Sequence, residues 1–441
     1  MIIGTDIQNK TILIDDGARA RHVEVIGATG SGKSVLIENL IRQVIQNNQG
    51  LCFIDPHGDT ARSVIGHIPE ERKGDLIYID LSDMSHTIGL NFTTDIPSNE
   101  RPLHAQNIVS AFKHVYGDSW GPRMEYIFLM AVRTLMDADL TLLALPKLFN
   151  DPLFRNRAID KLTDPYIKYT FWTEQYPIWH KKVGPDLTSP IENKIGSVLG
   201  SPHLRAILSQ RTNTISLREI IDNKGVIIIA LQKGQIGELA ASLFGALIVS
   251  AIGQTALSRA DIPEKRRVLF DLFCDEFQNF ATDAFPTILS EARKYKLQLT
   301  LAHQGLSQLD SAITDAVFAN CGTTISFRIG ARDAEVLVKQ LDLGNERALR
   351  DLQNYHAWYR TLTDGSPAST IHIKTFPPTK PLHDKTNELI SYSQRRFGRP
   401  REMIERNVDR FLCAPRSKTN PHFSASNSTS TSNSPKKRKQ S

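Results

Sequence analysis

Residues Gly27-Ala28-Thr29-Gly30-Ser31-Gly32-Lys33-Ser34 match the phosphate-binding (Walker A) pattern G-x-x-x-x-G-K-[ST] at every fixed position. No other stretch restricts the fold of this chain as much, because the loop works only between a strand and a helix. Both flanks are present: HVEVI (22–26) reads as a strand, and VLIENLIRQV (35–44) places apolar residues at helical spacing. Glycines let the backbone curl so that successive N–H groups of Gly27, Thr29, Gly30, Ser31 and Gly32 face phosphate oxygens, at the positive end of the following helix. Lys33 then reaches the β- and γ-phosphates, and the Ser34 hydroxyl is placed to ligate Mg²⁺. The competing reading, a glycine-rich turn before an ordinary helix, does not account for strand, loop and helix together. The pattern implies a nucleoside triphosphate site, with ATP and Mg²⁺ as cofactors.

Short apolar runs alternate with helical patterns over the first 95 residues. Strands are predicted at 11–14, 22–26, 51–55 and 76–81, with helices after Lys33 and Asp59. This βα rhythm predicts an α/β fold with a parallel sheet covered on both faces. Such sheets bind ligands at the carboxyl ends of their strands, where the phosphate loop falls. From 99 to 223 the strand rhythm stops and helix formers dominate, broken by Pro146, Pro152, Pro165 and Pro185. The rhythm resumes with strands at 226–231, 268–274, 297–302 and 323–328 and helices at 237–258, 283–295 and 311–320. Strands at 356–363 and 370–376 and two closing helices at 387–397 and 402–412 follow. Residues 415–441 are Ser, Thr, Asn, Pro, Lys and Arg with almost nothing apolar, which predicts disorder.

The formal charge of +6 points toward nucleic acid, but its location weakens that inference. Arg416, Lys418, Lys436, Lys437, Arg438 and Lys439 account for all of it, leaving the body neutral. Cys52, Cys274, Cys321 and Cys413 form no C-x-x-C pair and read as thiols in a reducing compartment, with no zinc site. The opening MIIGTDIQNK does not have the pattern of a signal peptide. Leu239 to Ser258 carries no charged residue and is about long enough to span a bilayer. Because it lies between two predicted strands and contains polar residues, a buried crossover helix is the expectation. A cytoplasmic protein is predicted, with any membrane attachment supplied by a partner.

VLFDLFCDE (268–276) is an apolar strand ending in two carboxylates. After a phosphate loop this suits hydrolysis: Asp275 would hold the Mg²⁺ and its water shell, and Glu276 would orient and deprotonate the attacking water. The alternative is an acidic helix N-terminus favoured by the dipole. LQLTLAHQ (297–304) is another strand with a polar end, and Gln304 there would sense the γ-phosphate. Between them lies SEARKY (290–295), from which Arg293 could reach a neighbouring subunit's nucleotide. Taken alone, Arg293 reads better as a solvated helix end.

DPHGD (55–59), CDEFQNFATDAF (274–285), ILSEARKY (288–295), LTLAHQGLSQL (299–309) and NCGTTISFRIG (320–330) together resemble the FtsK/HerA superfamily of ring ATPases. Within it the chain looks most like the conjugative coupling ATPases of the TraD/TraG type, over about residues 1–400. The resemblance implies a RecA-like P-loop NTPase core with a mostly parallel sheet, interrupted by an all-helical insertion. It also implies homo-hexamers, ATP-driven and sequence-independent movement of DNA, and relaxosome or secretion-channel partners in type IV secretion. It gives Lys33, Asp275, Glu276 and Gln304 the roles argued above, and Arg293 that of a trans-acting finger. The expected division is 1–98 and 224–380 for the core, 99–223 for the insertion, 381–414 for C-terminal helices and 415–441 for a basic tail. The chain departs from the family in showing neither transmembrane helices nor a β-barrel ahead of the phosphate loop. A nucleotide-switched adaptor that recruits a DNA-processing complex to a secretion channel is the alternative function, and a protein-moving motor a third.

Weaker signals remain two-sided. Asp55, His57 and Asp59 either line the nucleotide crevice or make a plain turn. Trp179-His180-Lys181-Lys182 mixes aromatic and basic residues as single-strand binders do, but a surface loop is the plainer reading. Arg395, Arg396, Arg399 and Arg401 cluster around a helix end where they could meet phosphates. The terminal Pro435-Lys436-Lys437-Arg438-Lys439 reads as a basic tail that holds DNA loosely or does nothing.

Overall fold

The computed structural model describes residues 1–363, 365–381 and 385–413; the predicted tail at 415–441 lies outside them. Fourteen strands are present among the described residues. They are β1 (Ile2–Asp6), β2 (Thr11–Leu13), β3 (Val23–Ile26), β4 (Gly50–Asp55), β5 (Leu76–Asp80), β6 (His86–Ile88) and β7 (Val226–Ala230). The second half adds β8 (Phe270–Cys274), β9 (Leu297–His303), β10 (Thr323–Ser326), β11 (His356–Thr363), β12 (Ser366–Pro367), β13 (Ile371–Thr375) and β14 (Gly398–Pro400). The main sheet runs β2-β1-β13-β11-β10-β3-β9-β8-β4-β7-β5, with β12 beside β11. From β10 to β5 every pairing is parallel. The sequence IIIA of β7 and CFI of β4 are fully buried, as continuous apolar strands covered on both faces must be.

The sheet is longer than the βα rhythm predicts. Beyond β10 it continues through antiparallel β11, β13, β1 and β2. The β11 sequence HAWYRTLT alternates buried and half-exposed positions, the signature of a sheet with one wet face. β1 carries no clear signal in the sequence, because IIGTD is too short and mixed to stand out. Predicted strand edges move by at most two residues: Ile14 falls outside β2, and β8 begins at Phe270.

Between β6 and β7 the chain is helical, from Arg101–Tyr116 to Leu217–Asp222. The helix Glu238–Ser258, charge-free after its first residue, is the crossover from β7 to β8 and packs against Arg101–Tyr116 and Leu217–Asp222. It is the one described helix long and apolar enough to cross a membrane, and 72% of its apolar window is buried within the protein. At Gly245 an added Cβ would sit 2.3 Å from the Phe280 ring. The glycine thus lets this helix press against the loop that leaves β8. The C-terminal helix Thr386–Phe397 returns to the first half, where Ser393 Oγ accepts a hydrogen bond from Tyr78 N on β5 (2.8 Å).

Candidate active site

The phosphate loop leaves β3 between β10 and β9, at the carboxyl end of the parallel strands. Gly30 (φ 74°) and Gly32 (φ 118°) take backbone conformations that side chains resist. Neighbouring strands hold the loop's base: Gly27 N donates to His303 O (3.2 Å) and Ala28 N to Arg328 O (2.7 Å). Tyr355 N donates to Ser31 O (2.8 Å). Thr29, Gly30 and Ser34 face solvent, whereas Lys33 is 7% exposed. Lys33 Nζ donates to the carbonyls of Gly27 and Ala28. Burial lowers the Lys33 pKa, with Asp275 and Glu276 pulling it upward. The Ser31 hydroxyl is buried without a hydrogen-bond partner. A curled backbone, a buried ammonium held only by loop carbonyls and an unsatisfied hydroxyl fit a phosphate group.

Tertiary structure brings the second half of the site to this loop. Ser34 Oγ donates to Asp275 Oδ2 (3.3 Å) across 241 residues of sequence. Burial pushes Asp275 up to about 6, Asp55 adding to the effect and Lys33 opposing it. A hydroxyl and a buried carboxylate side by side would suit Mg²⁺, which keeps several waters and takes few protein ligands. Glu276 follows in the left-handed region (φ 49°), so the backbone turns between the two carboxylates. Asp275 faces Ser34, while Glu276 faces β9: Gln304 Nε2 donates to Glu276 Oε1 (2.8 Å). β9 lies between β3 and β8, which puts Gln304 between the phosphate loop and the paired carboxylates.

Sequence reasoning left two further neighbours of Glu276 unassigned. His57 Nε2 lies 3.4 Å from Glu276 Oε1, and Asn279 Nδ2 donates to Oε2 (3.2 Å). The D-P-H-G-D run was a visible signal for His57, with its role left open. Asp55 itself is a turn former, accepting from His57 N (2.9 Å) and Ala61 N (2.8 Å). Tyr355, whose φ of 67° is unusual for an aromatic residue, carried no signal in the sequence.

Arg293 is not brought to this cluster. It is exposed in the turn before β9, at the amino end of the strands, in a cleft with Lys265, Arg267 and Lys296. Its own phosphate loop is at the other end of the sheet. The weaker basic signals are partly consumed by the fold. Trp179 packs on Tyr126 and Phe171, with ring centroids 6.1 and 6.5 Å away. Arg399 donates to Gln210 Oε1 (3.0 Å) and Thr212 O (2.9 Å), and Arg401 pairs with Glu405 (2.7 Å). Both arginines are engaged by partners within the fold.

Residues 3–94 match the family described as the central domain of the helicase HerA, and residues 269–341 match that of the TraM recognition site of TraD and TraG. The two matches bracket the phosphate loop and the paired carboxylates. Over these two segments the chain is similar to HerA and to TraD and TraG. Solved structures share its fold. The plasmid coupling protein TrwB with a non-hydrolysable ATP analogue is 16% identical at a TM-score of 0.61, covering 83% of this chain and 88% of TrwB. TrwB with ADP and Mg²⁺ is 17% identical at 0.58, covering 83% and 89%. VirB4 of Thermoanaerobacter pseudethanolicus is 14% identical at 0.56, covering 85% and 96%. No curated protein matches the chain by sequence.

Proposed function

We propose that this chain is a Mg²⁺-dependent ATPase that moves DNA as a hexameric ring, in conjugative transfer or a related pumping process. The observation that carries the reading is the convergence of Ser34, Asp275, Glu276 and Gln304 beside one phosphate loop. A nucleotide switch needs only the loop and a metal site. A carboxylate placed next to the metal ligands and joined to a glutamine serves turnover. In this reading the loop amides and Lys33 bind and neutralise phosphate oxygens, and Ser34 and Asp275 hold the metal. Bound Mg²⁺ supplies charge neutralisation at the phosphates. Glu276 accepts a proton from the attacking water, and Gln304 relates the Glu276 position to the occupancy of the loop.

The placement of Arg293 at the far end of the sheet supports a role on a neighbouring subunit's nucleotide. The core then comprises 1–98 and 224–380, with 99–223 as the helical insertion and 381–414 as C-terminal helices. Relaxosome or secretion-channel proteins are the expected partners, and a cytoplasmic setting with attachment through a partner follows. The related coupling proteins support conjugation as the process.

Steady-state ATP hydrolysis with and without single- and double-stranded DNA tests this, with Glu276→Gln as control. Stimulation by DNA that disappears in the variant is the expected result. ATP binding with negligible turnover, indifferent to DNA, would replace the motor with the adaptor.

A further inference from the structure

The Glu276 carboxylate stands among three side-chain donors. Gln304 reaches Oε1 at 2.8 Å, His57 Nε2 reaches the same oxygen at 3.4 Å, and Asn279 Nδ2 reaches Oε2 at 3.2 Å. The three come from separate places: the end of β9, the turn after β4, and the turn after β8. His57 is 59% exposed at its side chain while Glu276 is 15% exposed, so the imidazole adds little to the core. Its position is nevertheless constrained, because Asp55 accepts from its backbone N–H. Asn279 is constrained from the opposite side. His114, on the helix Arg101–Tyr116, donates through Nε2 to Asn279 O (3.1 Å), and Lys113 on the same helix pairs with Asp283 (2.9 Å). A residue in a left-handed turn with a long, unbranched side chain has several ways to point. Three converging donors select one.

Resting on the ATPase reading above, we propose that His57 and Asn279 are positioning residues, which hold the Glu276 carboxylate at the angle needed to take a proton from water. Neither touches the phosphate loop, so both act on turnover and leave nucleotide binding alone. His114 holds the main chain of Asn279, so the helical insertion reaches the glutamate through this residue.

The test is ATP hydrolysis by the full chain over a range of ATP concentrations, with equilibrium binding of a fluorescent ATP analogue measured in parallel. His57→Ala and Asn279→Ala are expected to lower kcat by about tenfold to a hundredfold, as misplacement of a catalytic group does. KM and analogue affinity should stay within about twofold, the split expected when only transition-state interactions are lost. His57→Gln, which restores a donor, should recover much of the loss. Wild-type kcat in both alanine variants, under conditions where Glu276→Gln is inactive, overturns the positioning role and leaves the ATPase reading standing. A wild-type chain that binds the analogue without turnover overturns the ATPase reading and the positioning role together.

Discussion

Replacing His22 with Asn should remove a defined part of the acid sensitivity of this fold. His22 is 1% exposed at the start of β3. Its Nδ1 accepts from Leu299 N (3.1 Å), which leaves Nε2–H to donate to Leu289 O (2.9 Å). The bond at Nδ1 requires the neutral ring, because a protonated Nδ1 cannot accept. Burial lowers its pKa from 6.5 to about 4, with the Arg293 charge adding to the effect and the bond to Leu289 opposing it. The unfolded chain therefore binds a proton that the folded one refuses between these values, and stability must fall as pH drops through that window. The contribution is fully present above 6.5 and levels off below about 4. The shift corresponds to about 2 kcal/mol lost between pH 8 and pH 5, and about 3 kcal/mol by pH 4. Asn suits the position because His22 has φ 64°, a region Asn tolerates. Urea denaturation of both proteins at steps of pH is the assay. The variant should be less stable at pH 8, with the difference closing by about 2 kcal/mol at pH 5. Parallel stability curves over that range would refute the buried neutral ring and the tie from β3 to the Arg293 segment.

Gly32→Ala should cost at least tenfold in nucleotide affinity, by the arithmetic of about 1.4 kcal/mol per decade. Its φ is 118° and the added Cβ would meet the Tyr355 ring at 3.0 Å; binding of a fluorescent nucleotide checks it. Ser34→Ala should weaken the Mg²⁺ dependence of binding, read as a rightward shift in a Mg²⁺ titration, because it leaves Asp275 the sole side-chain ligand of the pair. Arg293→Ala and Glu276→Gln should each be inactive alone yet regain partial ATPase activity when mixed. No recovery on mixing, with association of the two variants demonstrated, would count against a trans role for Arg293. His114→Ala should reduce kcat in the same direction as Asn279→Ala but by less, because the Asn279 side chain itself remains.

Much of the site was legible because its parts are contiguous in sequence. Gly27 to Ser34 is one loop, and the glycines, Lys33 and Ser34 each answer to a local requirement of phosphate binding. The apolar runs ending in Asp275-Glu276 and in Gln304 announce buried strands with polar tips, since continuous apolar strands occur where both faces are covered. What such runs cannot state is order and direction. β9 lies between β3 and β8 only because the crossovers place it there, and this decides that Gln304 meets Glu276. HAWYRTLT reads as a strand either way, and its antiparallel pairing with β10 is settled by long-range packing. The 3.3 Å approach of Ser34 to Asp275, the convergence of His57 and Asn279 on Glu276, and the removal of Arg293 to the far end of the sheet all join residues distant in sequence. Trp179 and Arg399 carry the residue types of a nucleic-acid surface, and the fold uses them in packing and hydrogen bonds instead. The phosphate loop, the α/β rhythm and the chemical types of the candidate site groups can be read from the chain alone, because each depends on neighbours within one turn or one strand. The tertiary structure alone decided which groups share a site, because hydrogen bonds and ion pairs act over a few ångströms of space, whatever the separation along the chain.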